Sequence, residues 1–242
     1  MVSQTLDSIF LILQLSSIDK TLDKTMRNRF THDFSELPDV MPVFPLAGAV
    51  ILPNGQLPLN IFEDRYLNMA LDAIAGSRLI GMVQPKSDSQ VQAPELHDTG
   101  CAGRIVSFSE TRDNRLLIIL AGVCRFDIVD EVEMKNGYRR VQVSWGRFGH
   151  DLDTQEDGID STTIIAAAKR FTERRNLSVD WSALDHLQAS ELIDTLASSL
   201  PFSPEEKQGL VEAVVIRERA ELLRALCEFG AAVPEDGSSV SH

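Results

Sequence analysis

The apolar positions of this chain change their period twice. Between residues 41 and 59 they fall in three short runs, Met41-Pro-Val-Phe-Pro-Leu46, Val50-Ile-Leu-Pro53 and Leu57-Pro-Leu59, punctuated by Pro42, Pro45, Pro53 and Pro58. A proline donates nothing to a sheet ladder and holds φ near about −65°. The runs are therefore predicted to be short edge or crossover strands, not long central ones. From Phe62 onward the spacing turns helical, with Phe62, Tyr66, Met69, Ala70, Ala73 and Ile74 recurring at three and four. Asn60 followed by Glu63 predicts a capping box and Gly76 a C-terminal stop, which sets a helix over 62–75.

The period then drops to two. Leu79–Val83 predicts a buried strand ending before Pro85, and the polar stretch Lys86–Thr99, with Pro94, a loop. Val106, Phe108 and Glu110 share one strand face, with Ile105, Ser107 and Ser109 on the other. Leu116–Leu120 is apolar on both faces, the pattern of a central strand. Arg112-Asp-Asn-Arg115 between them reads as a hairpin turn, because Asp and Asn tolerate positive φ. Cys124, Phe126 and Ile128 alternate with Arg125 and Asp127; Val141, Val143 and Trp145 alternate with Arg140, Gln142 and Ser144. Strict alternation predicts one wet face and one dry. Many short strands with proline-rich crossovers predict a compact, partly closed barrel.

The segment His150–Asp160 carries acids and no Lys or Arg, and reads as a boundary. Asp153, Gln155, Asp157 and Gly158 sit at the first, third, fifth and sixth positions of a calcium loop, but Ile164 stands where the closing Glu is required, so an acidic linker is the reading. Beyond it the period is helical again. Ile164, Ile165, Ala168 and Phe171 line a first helix, and Trp181, Leu184 and Leu187 lead to Leu192, Ile193 and Leu196 with a break near Ser190. The sharpest start is Ser203 as N-cap, Pro204 as first residue and Glu206 as third. Leu210, Val214 and Val215 follow, then Ala220, Leu223, Leu226 and Cys227 on a last helix ending near Gly230. The expected fold is α+β, a β-rich pseudo-barrel with one embedded helix over 41–150 and a helical bundle over 159–230, the two docked. Residues 1–40 read as a poorly ordered extension and 231–242 as a flexible tail. Ile9–Leu15 is too short to span a bilayer, Asp7 precedes it without Lys or Arg, and no small-residue cleavage site follows. Met26 is an alternative start.

Charge changes the picture by exclusion. A net charge of −13 lacks the basic footprint that a phosphate backbone needs, so no nucleic-acid partner is expected. Arg27-Asn-Arg29, Arg139-Arg140 and Arg174-Arg175 are short and read as solvated faces. Cys101, Cys124 and Cys227 show no CxxC spacing and read as buried reduced thiols, not a disulfide or zinc framework. That usage, with no membrane span or signal, predicts a cytoplasmic protein. Gly76-Ser-Arg-Leu-Ile-Gly81 has the glycine spacing of a phosphate loop but continues into Met82-Val83 where Lys and Ser or Thr are required. There is no G-x-S-x-G elbow. His32, His97, His150, His186 and His242 show no paired ligand spacing, and the neighbours Asp185 and His186 do not share a helix face. No catalytic residue, metal ligand or cofactor is predicted.

One polar cluster has two readings. Phe62, Glu63, Arg65 and Tyr66, with Asp64, gather at a helix start beside the proline-rich strands. They form the rim of a peptide groove, or else a cap with an Arg65 ion pair pinning the helix to the barrel. Acids in a first turn already favour the helix dipole without a ligand.

The strings PVFPL, VILP, LPLNIFEDRYLNMALDA, RLIGMVQP, GCAGRIVSFSET and LAGVCRF, and more loosely LPFSPEEKQGLVEA, occur in order across roughly residues 40 to 230. In this the chain resembles the LON substrate-binding domain, the N-terminal domain of Lon-type proteases, which also occurs alone in small bacterial proteins. The resemblance implies a PUA-like pseudo-barrel and a non-catalytic module that binds unfolded or extended polypeptide. It leaves room for a protease partner, for an adaptor or regulatory role in proteolysis, and for a weak homodimer. The alternative is a small-molecule-binding or hydrolytic protein using a pocket at the barrel–helix junction, for which His97 or His150 beside a carboxylate would be the sign.

Overall fold

The computed structural model describes residues 33–86, 93–153 and 158–232. The expectations for Ile9–Leu15, Met26, Gln155, Asp157 and the tail from 233 lie outside these residues.

Six strands form one sheet: β1 (Val40–Pro45), β2 (Gln56–Ile61), β3 (Leu79–Val83), β4 (Thr99–Glu110), β5 (Leu116–Lys135) and β6 (Tyr138–Ser144). Their order is β2-β5-β4-β3-β1-β6, and β5 also pairs with β6, so all but β2 close into a ring. This is the barrel of an α+β fold. β2, with Pro58, lies at the edge, as its proline requires. β1 does not: it sits between β3 and β6. Its two prolines are tolerated because the strand pairs on one side at a time, Val40–Pro42 with β6 and Val43–Pro45 with β3. Val50–Leu52 is no strand either. It is a buried irregular crossing that passes over β5 at Gly122, whose amide donates to the Gly55 carbonyl at 2.9 Å. A Cβ on Gly122 would lie 1.9 Å from the Leu52 carbonyl oxygen.

β5 unites two stretches that read as separate strands. It runs on because it changes partner, from β2 and β4 at its start to β6 at its end. Only Leu116, Ile118 and Leu120 of its first part face the core; Leu117 is exposed, so this part is not buried on both faces. The hairpin before it turns at Asn114, in the left-handed region at φ 60° as the Asp-Asn signal predicts. The hairpin after it turns through Asn136 and Gly137, both at positive φ.

Helix α1 (Asp64–Ile74) buries Tyr66, Met69, Ala70 and Ala73. The capping box expected from Asn60 is not formed. Asn60 belongs to β2, opposite Leu117, and Glu63 occupies the N-cap position. At the other end the left-handed residue is Arg78, at φ 61°, not Gly76; its amide returns to the Ala73 carbonyl at 2.8 Å.

Among the described residues four helices follow the barrel: α2 (Thr162–Arg174), α3 (Ala189–Ser199), α4 (Pro204–Glu212) and α5 (Ile216–Ala232). The cap of α4 forms in full. The Glu206 amide donates to Ser203 Oγ at 3.2 Å, and the Ser203 amide donates to the Glu206 carboxylate at 2.7 Å. The helices share an apolar cluster around Ile164, Phe171, Leu196 and Leu223, and Val50 and Leu52 belong to it. Ile51, between them, belongs instead to the cluster joining α1 to the sheet. A third cluster draws Val43, Leu79, Ala102, Phe126 and Val141 from every strand of the ring, closed by Trp145 and Phe148.

Candidate functional site

The four residues singled out at the start of α1 divide between surface and core. Phe62 is 55% exposed, and the Arg115 guanidinium stands 5.6 Å from its ring centroid. Arg65 Nε and Nη2 both donate to the same Glu63 oxygen, at 3.1 and 2.8 Å. That ion pair is local to the helix start and exposed, so it does not pin α1 to the barrel. Tyr66 does: its ring is buried against Phe44, with centroids 4.2 Å apart. Burial raises the Tyr66 phenol above its usual range, with the nearby Arg65 charge acting in the opposite sense. Arg65 lies over the outer face of the same ring at 4.5 Å. The surface thus presents the Phe62 ring beside the Arg115 guanidinium, and next to it in sequence the exposed Glu63–Arg65 pair, whose guanidinium lies over the Tyr66 ring.

What holds α1 was not foreseen. Asp72 accepts hydrogen bonds from Tyr138 Oη at 2.7 Å and Asn136 Nδ2 at 3.2 Å, and pairs with Lys135 at 3.0 Å. These donors hold the Asp72 carboxyl low, while burial and then Asp72 push the Tyr138 phenol up to about 12. The signal was available in Asn136-Gly137, the strongest short hairpin dipeptide.

The junction between sheet and helices is filled with polar groups spent on one another. Arg125 was expected on a wet face; it is 1% exposed. Its guanidinium donates to both oxygens of Asp151, at 2.9 and 2.7 Å, and to the carbonyls of Val211, Ala213 and Val214. Asp151, expected in an acidic linker, lies in the 3-10 helix Gly146–Leu152 that folds back over β5. Arg219 of α5 donates to Asp194 of α3 and to the Leu210 and Ala213 carbonyls. Asp194 in turn accepts the Asn54 amide at 3.2 Å and its Nδ2 at 2.9 Å. Gln84 takes the Gly48 amide and donates to the Pro204 carbonyl and to Gln208. Lys207 donates to the Gly48 carbonyl at 2.8 Å, and burial lowers its amine to about 8.

His150 Nε2 is 2.9 Å from the Val214 carbonyl and 3.8 Å from Asp151, whose two oxygens already serve Arg125. His97 stands at the rim of this junction, its amide donating to the Gln84 carbonyl at 2.9 Å. The exposed Glu205 carboxylate at the start of α4 is held low chiefly by its own backbone amide, and His97 lies close enough to help lower it. His186 lies apart in the turn before α3. Cys101 and Cys124 are buried and stand one register step apart, so their side chains take opposite faces, and burial pushes both thiols up. Among the described residues no group of three His, Cys, Asp or Glu side chains is placed to hold a metal, and no helix is long and apolar enough to cross a membrane.

Comparison with known proteins bears on the whole of this architecture. Residues 40–227 match the family model of the ATP-dependent protease La (LON) substrate-binding domain. The chain is 28% identical over 199 residues to the Lon protease of Flavobacterium johnsoniae, covering 78% of this chain and 24% of that protein. It is 22% identical over 208 residues to the Lon protease of Dictyoglomus thermophilum, covering 81% and 25%. It thus spans about a quarter of the length of these relatives. Among solved structures it is similar to a Lon N-terminal domain protein from Xanthomonas campestris, at 25% identity and a TM-score of 0.54, covering 77% of this chain and 97% of that one. It shares the fold of the N-terminal domain of a Mycobacterium avium complex Lon protease, at 17% identity and a TM-score of 0.54, covering 78% and 97%.

Proposed function

The chain belongs to the LON substrate-binding domain family, and from that membership we propose that it is a non-catalytic module that binds unfolded or extended polypeptide. The observation that carries the reading is Phe62, a half-exposed aromatic ring at the end of an edge strand, flanked by Arg115 and by the Glu63–Arg65 pair. Exposed aromatic rings with polar rims are the usual anchors of polypeptide interfaces. Phe62, Glu63 and Arg65 are the contact residues, and Tyr66 fixes the helix that presents them. The polar groups of the barrel–helix junction satisfy one another, which speaks against a small-molecule site there. The module serves as an adaptor or regulator of a protease in the cytoplasm.

Fluorescence anisotropy against labelled denatured casein tests the reading. Saturable binding that falls about tenfold with Phe62→Ala is the expected result. The absence of saturable binding to the folded protein overturns it.

A further inference from the structure

Among the described residues, the outer edge of β2 and the distal edge of β4 both lack a partner strand, and they are not equivalent. The Gly122 amide bonds to the Gly55 carbonyl, so with the β2–β5 register the bonded positions of β2 are 57, 59 and 61. Gln56, Pro58 and Asn60 therefore turn their backbone groups outward, and Pro58 removes the central donor from that edge. On β4, the Thr111 amide bonds to the Arg115 carbonyl, so Ser109 and Ser107 are the residues bonded to β5. The two derivations agree: Ile118 turns to β2 and Leu117 to β4. Phe108 and Glu110 then present amide and carbonyl to the open side. β3 covers that side only as far as the Arg78 carbonyl, which accepts the Ile105 amide at 2.8 Å. Beyond it every residue from Val106 to Glu110 is exposed, Phe108 by 51%, and none of them is proline. A bulge at Val106 bends the strand where cover ends.

Charge indicates what lies there. The open edge begins beside two arginines, Arg78 and the half-buried Arg104, close enough for the Arg78 charge to act on Arg104. It ends at a hairpin carrying Arg112 and Arg115, the latter already paired with Asp113 at 2.8 Å. With Glu110 on the edge and Asp113 on Arg115, the arginines Arg78, Arg104 and Arg112 still leave this border net positive on a chain of net charge −13. A second copy fits badly: a two-fold pairing centred on Phe108 sets Arg104 opposite Arg112.

We propose that the Val106–Glu110 edge of β4 takes up an extended polypeptide segment as an added strand, with a carboxylate of that segment held at Arg78. The proposal rests on the polypeptide-binding reading and names where the backbone is gripped. An incoming strand bonds the amides and carbonyls of Phe108 and Glu110, and its residue opposite Phe108 packs on that ring. The carboxylate belongs to an acidic side chain or to a C-terminus.

The test uses the full chain and a labelled peptide of alternating valine and threonine ending in aspartate, followed by anisotropy. Phe108→Pro deletes an outward donor and leaves the bonds of Ser107 and Ser109 to β5 in place. It is expected to weaken binding about tenfold with an unchanged circular dichroism spectrum. Peptides N-methylated at alternate residues test the wild-type protein independently: one series is expected to lose binding and the other to keep it, and equal loss from both overturns strand addition. Terminal amidation and replacement of the aspartate by asparagine separate the two carboxylate sources; if neither weakens binding, the arginine assignment fails. Should Phe108→Pro bind the peptide as wild type does while Phe62→Ala lowers casein binding, the edge proposal falls and the polypeptide-binding reading stands. Concentration-dependent dimerisation abolished by Phe108→Pro also overturns the proposal, because the edge is then filled by a second copy.

Discussion

Arg125 and Asp151 meet in a two-pronged ion pair, Nε to Oδ2 at 2.9 Å and Nη2 to Oδ1 at 2.7 Å, with side chains 1% and 5% exposed. The same guanidinium holds the Val211 carbonyl in the last turn of α4 and the Ala213 and Val214 carbonyls of the link to α5. One side chain from the barrel thus organises a turn between two helices.

Removing one partner of this pair leaves the other charge buried. Asp151→Ala is expected to cost about 3–5 kcal/mol in urea unfolding. The double variant Arg125→Met, Asp151→Leu is expected to recover part of that loss. A single variant as stable as wild type would show the pair to be solvated.

Lys207 makes stability depend on alkaline pH. Its amine falls from 10.5 to about 8 on folding, so between these values the unfolded chain binds more protons. Stability therefore rises as pH rises through that window, by at most about 3 kcal/mol. Lys207→Met is expected to flatten the rise. Subtracting the two pH profiles isolates this amine from the tyrosines and thiols that titrate nearby.

Gly122 has no room for a side chain under the Leu52 carbonyl. Gly122→Ala is expected to cost at least about 2 kcal/mol by thermal melting. Gly146→Ala, whose Cβ would meet nothing nearer than Ser144 Oγ at 4.0 Å, is the control and is expected to change little.

Leu196 lies in the helical core, where Leu196→Asp buries a carboxylate. Loss of the helical circular dichroism signal near room temperature is expected. An unchanged melting temperature would mean that the apolar face of α3 is turned elsewhere.

The purified chain is expected neither to cleave casein nor to hydrolyse ATP. Turnover of either by contaminant-free protein would contradict the non-catalytic reading.

Local chemistry was legible where it acts within a few residues. The Ser203–Glu206 cap, the turn at Asn114 and the alternation of Val141, Val143 and Trp145 all follow from neighbouring residues. Positions decided by distant chain were not. Arg125 alternates as a surface residue should, and it is covered only by later chain, the Gly146–Leu152 turn and the carbonyls of Val211–Val214. Val50–Leu52 has the composition of a strand, but two cores compete for it and no ladder is available. At the candidate site, the clustering of aromatic and charged residues over 62–66 is visible in the sequence, but the division of Phe62 to the surface and Tyr66 to the core is not. Nor is the open edge at Phe108, because it depends on where β3 stops.

The zigzag at Val50, Ile51 and Leu52 makes the barrel and the bundle inseparable. Adjacent side chains are lodged in different cores, and Asn54 clasps Asp194 immediately after. Severing the chain in the acidic stretch after residue 153 would strip those residues of their lining and set both fragments to aggregate. Transplantation into another protein therefore has to carry strands and helices as one cassette.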